Sequence, residues 1–232
     1  MRAIISILAL FGLGACMAVT PDAAPVAGIT SATANAKAAA RRFVEVVAQV
    51  EPVAERVCRN SAPDLDCDLR IVVDTRPNQP ANAYQTIDAR GRPVIVFSLS
   101  MIFLAENADE LAFVMGHEAA HHIAGHFARS RDSAFAGAVL RGVLAGPAGG
   151  DAAAVNAAQN LGAAKAALQY SRGFELEADA LGARIAYLAG YDPEIGAVIL
   201  TRIPDPDGPF LATHPRNRAR IAAVRRTMAV TR

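Results

Sequence analysis

The sequence predicts an α+β fold, mostly helical with a small sheet of about three strands. Three observations predict it. Apolar residues recur at helical spacing from Lys37 to Arg59. Short β-branched runs bounded by turn residues lie between Leu69 and Ser98. After Ser98 the apolar period returns to helical for the rest of the chain. The chain has 232 residues, 53% hydrophobic and 19% charged, which is enough for a sizeable core and excludes a disordered chain. With 23 Lys+Arg against 22 Asp+Glu the net charge is +1, so a strongly basic nucleic-acid binder is excluded and no nucleic-acid partner is expected. No internal repeat is present.

Residues 1–15 read as a lipoprotein signal peptide. Arg2 supplies the positive region, and the apolar run from Ala3 to Leu13 is too short to span a bilayer. Leu13-Gly14-Ala15-Cys16 resembles a lipobox, in which Cys16 is the lipidated residue; an ordinary signal peptide with a chance Cys is the alternative. Removal of this leader leaves equal numbers of acidic and basic residues. Met17 is not the Asp of an inner-membrane retention signal, so the expected location is the periplasmic side of the envelope, at the outer membrane rather than the inner. Residues 16–35, rich in Ala, Pro, Thr and Ser, read as a flexible tether, and 36–232 as the folded domain. With Cys16 lipidated, Cys58 and Cys67 remain, nine residues apart; they could close a disulfide in an oxidising compartment or stay free thiols.

The first helix carries Phe43, Val46, Val47, Val50 and Val57 on its apolar face, with Pro52 expected to kink or split it. Strands are expected at Leu69–Asp74, Ala83–Ile87 and Pro93–Ser98, with a turn at Asp88–Gly91; the Pro that opens the third suits an edge strand. A short helix follows from Leu99 to Ala105. Asn107 or Asp109 caps the next, which is expected to run through His117 to about Arg131. Gly137–Gly150 is Gly/Ala-rich, and Asp151–Ala166 reads as an Ala-rich helix. Further helices are expected from Arg172 to Leu188, from Asp192-Pro193 onward, and from Pro215 to Thr227, with an irregular stretch at Pro204, Pro206 and Pro209.

Four of the five His fall at 117, 121, 122 and 126. His117-Glu118-Ala119-Ala120-His121 is HExxH. On a helix, positions i and i+4 share a face, so both imidazoles can reach one metal ion, while Glu118 is offset and can take a proton from an attacking water. A catalytic zinc needs a third protein ligand. Phe127 stands where a third His would follow in the metzincin pattern, so the third ligand is expected to be a carboxylate from a later helix. Glu175 and Asp179 share a helix face: Glu175 can ligate, and Asp179 can accept a hydrogen bond from the second nitrogen of a ligating His. Glu177 is expected to point to solvent. His122 and His126 are not expected to ligate, since His126 lies about 140° further round a regular helix than His121.

Asn82-Ala83-Tyr84, the strand 94–98, Asp109-Glu110-Leu111, HExxH, His126, Ser171-Arg172 with Glu175, Ala178-Asp179, Thr213-His214-Pro215 and Arg220-Ile221 form an ordered set over roughly residues 70 to 225. The set resembles the HtpX-like and CAAX-prenyl-protease-like zinc metallopeptidases of the gluzincin type, in particular their soluble bacterial lipoprotein branch. The resemblance implies a zincin-like metalloprotease domain whose sheet lies beside the HExxH helix. It also implies one Zn2+ held by His117, His121 and Glu175, with Glu118 as general base. His214 or Arg220 would stabilise the oxyanion, or His214 would occupy the open metal position at rest. The family's edge strand, here 94–98, would hold substrate in extended form. The implied activity is endoproteolysis of unfolded or misassembled envelope proteins, as periplasmic quality control. The other reading is a chaperone or assembly factor for outer-membrane proteins with a latent site, which the intact Glu118 argues against. Membrane association would be through the lipid anchor. The residues do not determine an oligomeric state.

Overall fold

The structure is a computed structural model that describes residues 27–130, 132, 136, 172–205 and 215–232. Cys16, the 137–166 stretch and His214 lie outside the described residues, and so do residues 16–26 of the expected tether. The architecture is mostly helical around one three-stranded mixed sheet, as expected for an α+β chain. No helix among the described residues is long and apolar enough to cross a membrane.

Helix α1 runs Ala27–Ser61. It therefore begins ahead of the expected start, and residues 27–35 are helical rather than tether. Phe43, Val46, Val50, Ala54 and Cys58 recur at three- and four-residue steps and are buried, which anchors one continuous stripe in the core. Pro52 does not split the helix. It sits on the exposed face, where the backbone bond it removes faces water, and buried Val50, Val53 and Ala54 hold the chain on either side. Cys58 and Cys67 form a disulfide, with Cα atoms 5.7 Å apart, that closes the loop after α1.

Strands β1 (Arg70–Asp74), β2 (Ala83–Ile87) and β3 (Pro93–Ser98) match the expected runs, but their order is β1-β3-β2. β3 is the central strand, parallel to β1 and antiparallel to β2. This corrects the edge position expected for 94–98. Pro93 pairs with Ile87 at the hairpin end, so its missing N–H falls at the end of the sheet rather than along an edge. All six β3 side chains are buried, and Phe97 packs edge-on against Phe43 of α1, 5.2 Å between ring centres. Ser98 closes the strand: its N–H donates to Asn82 O at 2.9 Å, and its hydroxyl accepts from Asn82 N–H and caps α2 (Leu99–Leu104) at Met101 N–H.

Helix α3 spans Ala108–Ile123 and is capped by Asn107, whose side chain accepts from Glu110 N–H at 3.0 Å. It ends earlier than expected. Gly125, at φ 63°, takes the left-handed conformation that closes the helix, and the chain re-enters helix as α4 (126–130). Helix α5 (172–188) ends near Gly190 as expected. Asp192 caps α6 (Pro193–Gly196) through the N–H groups of Glu194 and Ile195, and a 3-10 turn covers Ala197–Arg202. Helix α7 runs Asn217–Thr231.

Helices α3 and α5 meet backbone to backbone. A Cβ added to Gly116 would lie 2.5 Å from Gly182 O, and one added to Gly182 would lie 2.6 Å from His117 N. No side chain fits at either position without moving a helix. Gly182→Ala is expected to cost about 1–3 kcal/mol, as overpacking does in a tight core. Gly173→Ala, on the same helix with open space around its Cβ, is expected to cost nothing. Urea unfolding of the two variants checks the contrast.

Candidate active site

The first turn of α3 carries Asp109 and Glu110, whose charges suit the positive end of the helix dipole. His117 and His121 project from one face. Their Nε2 atoms lie 3.0 Å apart. The α3–α5 contact brings Glu175 opposite them: Oε2 lies 3.5 Å from His117 Nε2, and Oε1 lies 3.3 Å from His121 Nε2. His117 and Glu175 are buried, and the three ligand atoms all lie within 4.8 Å of one another.

The donor set fits a divalent ion. Each ring nitrogen on the far side is already engaged. His117 Nδ1 lies 3.0 Å from Asp179 Oδ1, and His121 Nδ1 lies 2.9 Å from His126 Nδ1. With the ring hydrogens on the Nδ1 atoms, both Nε2 lone pairs point at one place, beside a carboxylate. Asp179 is fully buried and held by a second partner, Arg220 of α7, through Nε at 2.9 Å and Nη2 at 2.7 Å. Burial pushes the Asp179 carboxyl up, but the bonds to His117 and Arg220 outweigh it and hold the pKa below the usual value.

The carboxyl groups of the site outnumber its guanidinium: Glu175, Asp179 and Glu118 all bear on Arg220. In the ion-free chain a proton on His117 offsets part of the excess. Burial and Arg220 push the His117 pKa down, but hydrogen bonds to Asp179 and Glu175 raise it to about 9. A divalent cation would serve the same purpose and would have to displace that proton.

Arg220 was expected near an oxyanion. Two of its nitrogens bond Asp179, and Nη2 also lies 3.6 Å from Glu175 and 3.3 Å from His117 Nε2, so Arg220 anchors the carboxylates and borders the ligand point. Glu177 is exposed, as expected, and its carboxylate lies 3.3 Å from His126 Nε2 and 2.9 Å from Arg129 Nη1. His126 itself is buried, and burial with the nearby His121 pushes its pKa down to about 4. The reading of a regular helix put His126 away from the ligand face. The break at Gly125 brings it back against His121. His122, on the other side, meets the Asp66 carbonyl at 2.7 Å, inside the disulfide-closed loop.

Two cavities flank Glu118. One, about 410 Å³, is walled by Asn82 and the β2 residues Ala83, Tyr84 and Gln85 opposite His117, His121 and Glu175. The other, about 310 Å³, is lined by Met101, Phe113, Val114, Leu200 and Ile203 and reaches Arg220. The strand beside the site is thus the edge strand β2.

Because His117 must lose a proton to ligate, zinc affinity is expected to rise with pH. Below about 9 the imidazolium competes with the ion, so affinity should increase about tenfold per unit from pH 7 to 8. Competition titrations against a chromophoric chelator at several pH values check the slope, and a flat profile would contradict it.

Among curated proteins, the chain is 35% identical over 139 residues to a protein of Vibrio cholerae serotype O1 provisionally named a beta-barrel assembly-enhancing protease; the match covers 53% of this chain and 28% of that protein. It is 29% identical over 131 residues to the mitochondrial metalloendopeptidase OMA1 of Arabidopsis thaliana, covering 55% of this chain and 26% of that protein. The chain thus spans little more than a quarter of the length of either relative. The family description Peptidase family M48 matches residues 40–228, which take in the whole HExxH helix, Glu175, Asp179 and Arg220. This chain belongs to peptidase family M48.

Proposed function

We propose that this chain is a zinc-dependent endopeptidase of the bacterial envelope that cuts unfolded or misassembled envelope proteins. The observation that carries the reading is the convergence of His117, His121 and Glu175 on one point, with Glu118 bordering the cleft that β2 walls. Zinc at that point would supply Lewis acidity and a water ionised near neutral pH. Glu118 takes the proton from the attacking water and returns it to the leaving amine. Asp179, held by Arg220, keeps His117 in the ligating tautomer. β2, an edge strand among the described residues, would offer its outer side to a substrate in extended form. A folded client cannot present a free strand there, and an unfolded one can.

The envelope location rests on the lipobox-like Cys16, on the Cys58–Cys67 disulfide, which suits an oxidising compartment, and on the name of the Vibrio cholerae relative. We assign the periplasmic side of the outer membrane, with a lipid anchor on Cys16.

Glu118→Gln is expected to keep zinc and to lose hydrolysis of unfolded casein by about a hundredfold or more. Glu175→Ala is expected to lose both. Metal analysis beside a digestion assay reads the two, and undiminished cutting by Glu118→Gln would overturn the mechanism. For the location, Cys16→Ser is expected to move the protein from the membrane to the soluble periplasmic fraction, read by fractionation. Unchanged membrane retention would count against the anchor.

A further inference from the structure

Behind His121 lies a cluster that the proposed reaction does not use. His126 is 4% exposed, and its Nδ1 is 2.9 Å from Nδ1 of His121. Two like ring nitrogens at that distance bond only if one carries a hydrogen and the other a lone pair. His121 Nε2 faces His117 Nε2 and Glu175, where a ligating nitrogen must be bare. Its hydrogen is therefore on Nδ1, and His126 Nδ1 is the acceptor. The His126 hydrogen then sits on Nε2, which faces Glu177 Oε2 at 3.3 Å. The ring is held in that setting. It stacks on Phe174, with ring centres 4.4 Å and planes 12° apart, and Arg129 bonds Glu177 at 2.9 Å while its guanidinium carbon lies 4.5 Å from the Phe174 ring centre. Phe174 immediately precedes Glu175, so the same contact ties α4 to the helix that carries the carboxylate ligand.

We propose that His126 is a positioning residue of the metal site: it accepts the Nδ1 hydrogen of His121 and so aims His121 Nε2 at the ion. The inference rests on the reading of His117, His121 and Glu175 as zinc ligands. It gives each imidazole ligand its own carboxylate-terminated support. That support is direct for His117, through Asp179, and relayed through a second imidazole for His121.

The test is zinc affinity of the full chain, by chelator competition, with thermal melting of the zinc-free protein as the control for folding. His126→Phe keeps a ring on Phe174 but offers no acceptor. It is expected to bind zinc about 10- to 100-fold more weakly, with a melting temperature within a few degrees of wild type. His126→Asn, whose amide oxygen can stand in for Nδ1, is expected to recover to within about threefold of wild type. Independently of any variant, 15N imidazole NMR of the zinc-loaded wild type should place the His121 hydrogen on Nδ1 and the His126 hydrogen on Nε2. The inference is overturned if His126→Phe binds zinc as wild type does, if His126→Asn loses as much as His126→Phe, or if the His126 hydrogen is on Nδ1. Each of those results leaves the zinc reading standing. A wild-type chain that bound no zinc would overturn that reading, and the inference with it.

Discussion

The contact between the Gly116 and Gly182 backbones is the constraint on which the site depends. Side chains ordinarily hold two helix axes about 8–10 Å apart. Here neither crossing residue has a Cβ, and the closest approach leaves no room for one. The crossing point also sets what meets there. His117 directly follows Gly116. Asp179 and Glu175 precede Gly182 by about one and two turns, so they lie on the stripe of α5 that touches α3. Short side chains of fixed reach then meet at contact distance, which a looser crossing would prevent.

Close approach alone would be unfavourable, because it buries carboxylates against imidazoles in a low-dielectric interior. The structure offsets this from behind. Arg220 arrives from α7, the far end of the chain, and bonds Asp179 with two nitrogens, while Asp179 bonds His117. What remains is a site still lacking positive charge at the point where the two Nε2 atoms and Glu175 face one another. A divalent ion at that point would fill the deficit. Glu118 adds to the deficit while standing at the cleft wall, where it can act on a water.

Much of this was legible in the residues, and for identifiable reasons. HExxH specifies its own geometry once a helix is granted, and the i, i+4 spacing of Glu175 and Asp179 does the same on α5. The three strands were visible as β-branched runs. What was hidden depended on backbone departures or on contacts between distant segments. His126 looked misplaced because a regular helix was extended through Gly125, and the left-handed turn there rotates it back toward His121. Glu177 is exposed as the residues predict, but its contacts with His126 and Arg129 of α4 depend on the packing of α4 against α5. Arg220 was picked out, but its engagement with Asp179 needed the packing of α7. The early start of α1 overrode a composition that resembles a linker.

The order of the sheet carries a functional consequence of its own. Pro93 suggested an edge, but the continuous apolar run from Val94 to Phe97 is what a strand covered on both faces requires, and it is central. Among the described residues β1 and β2 are both edges, and the alternating, half-exposed β2 is the one beside the paired imidazoles. Ser98 ties Asn82 to the end of β3, which fixes β2 at the height of the paired imidazoles. An edge strand thus walls the cleft that holds the paired imidazoles, which is the arrangement the proposed binding of an extended main chain requires.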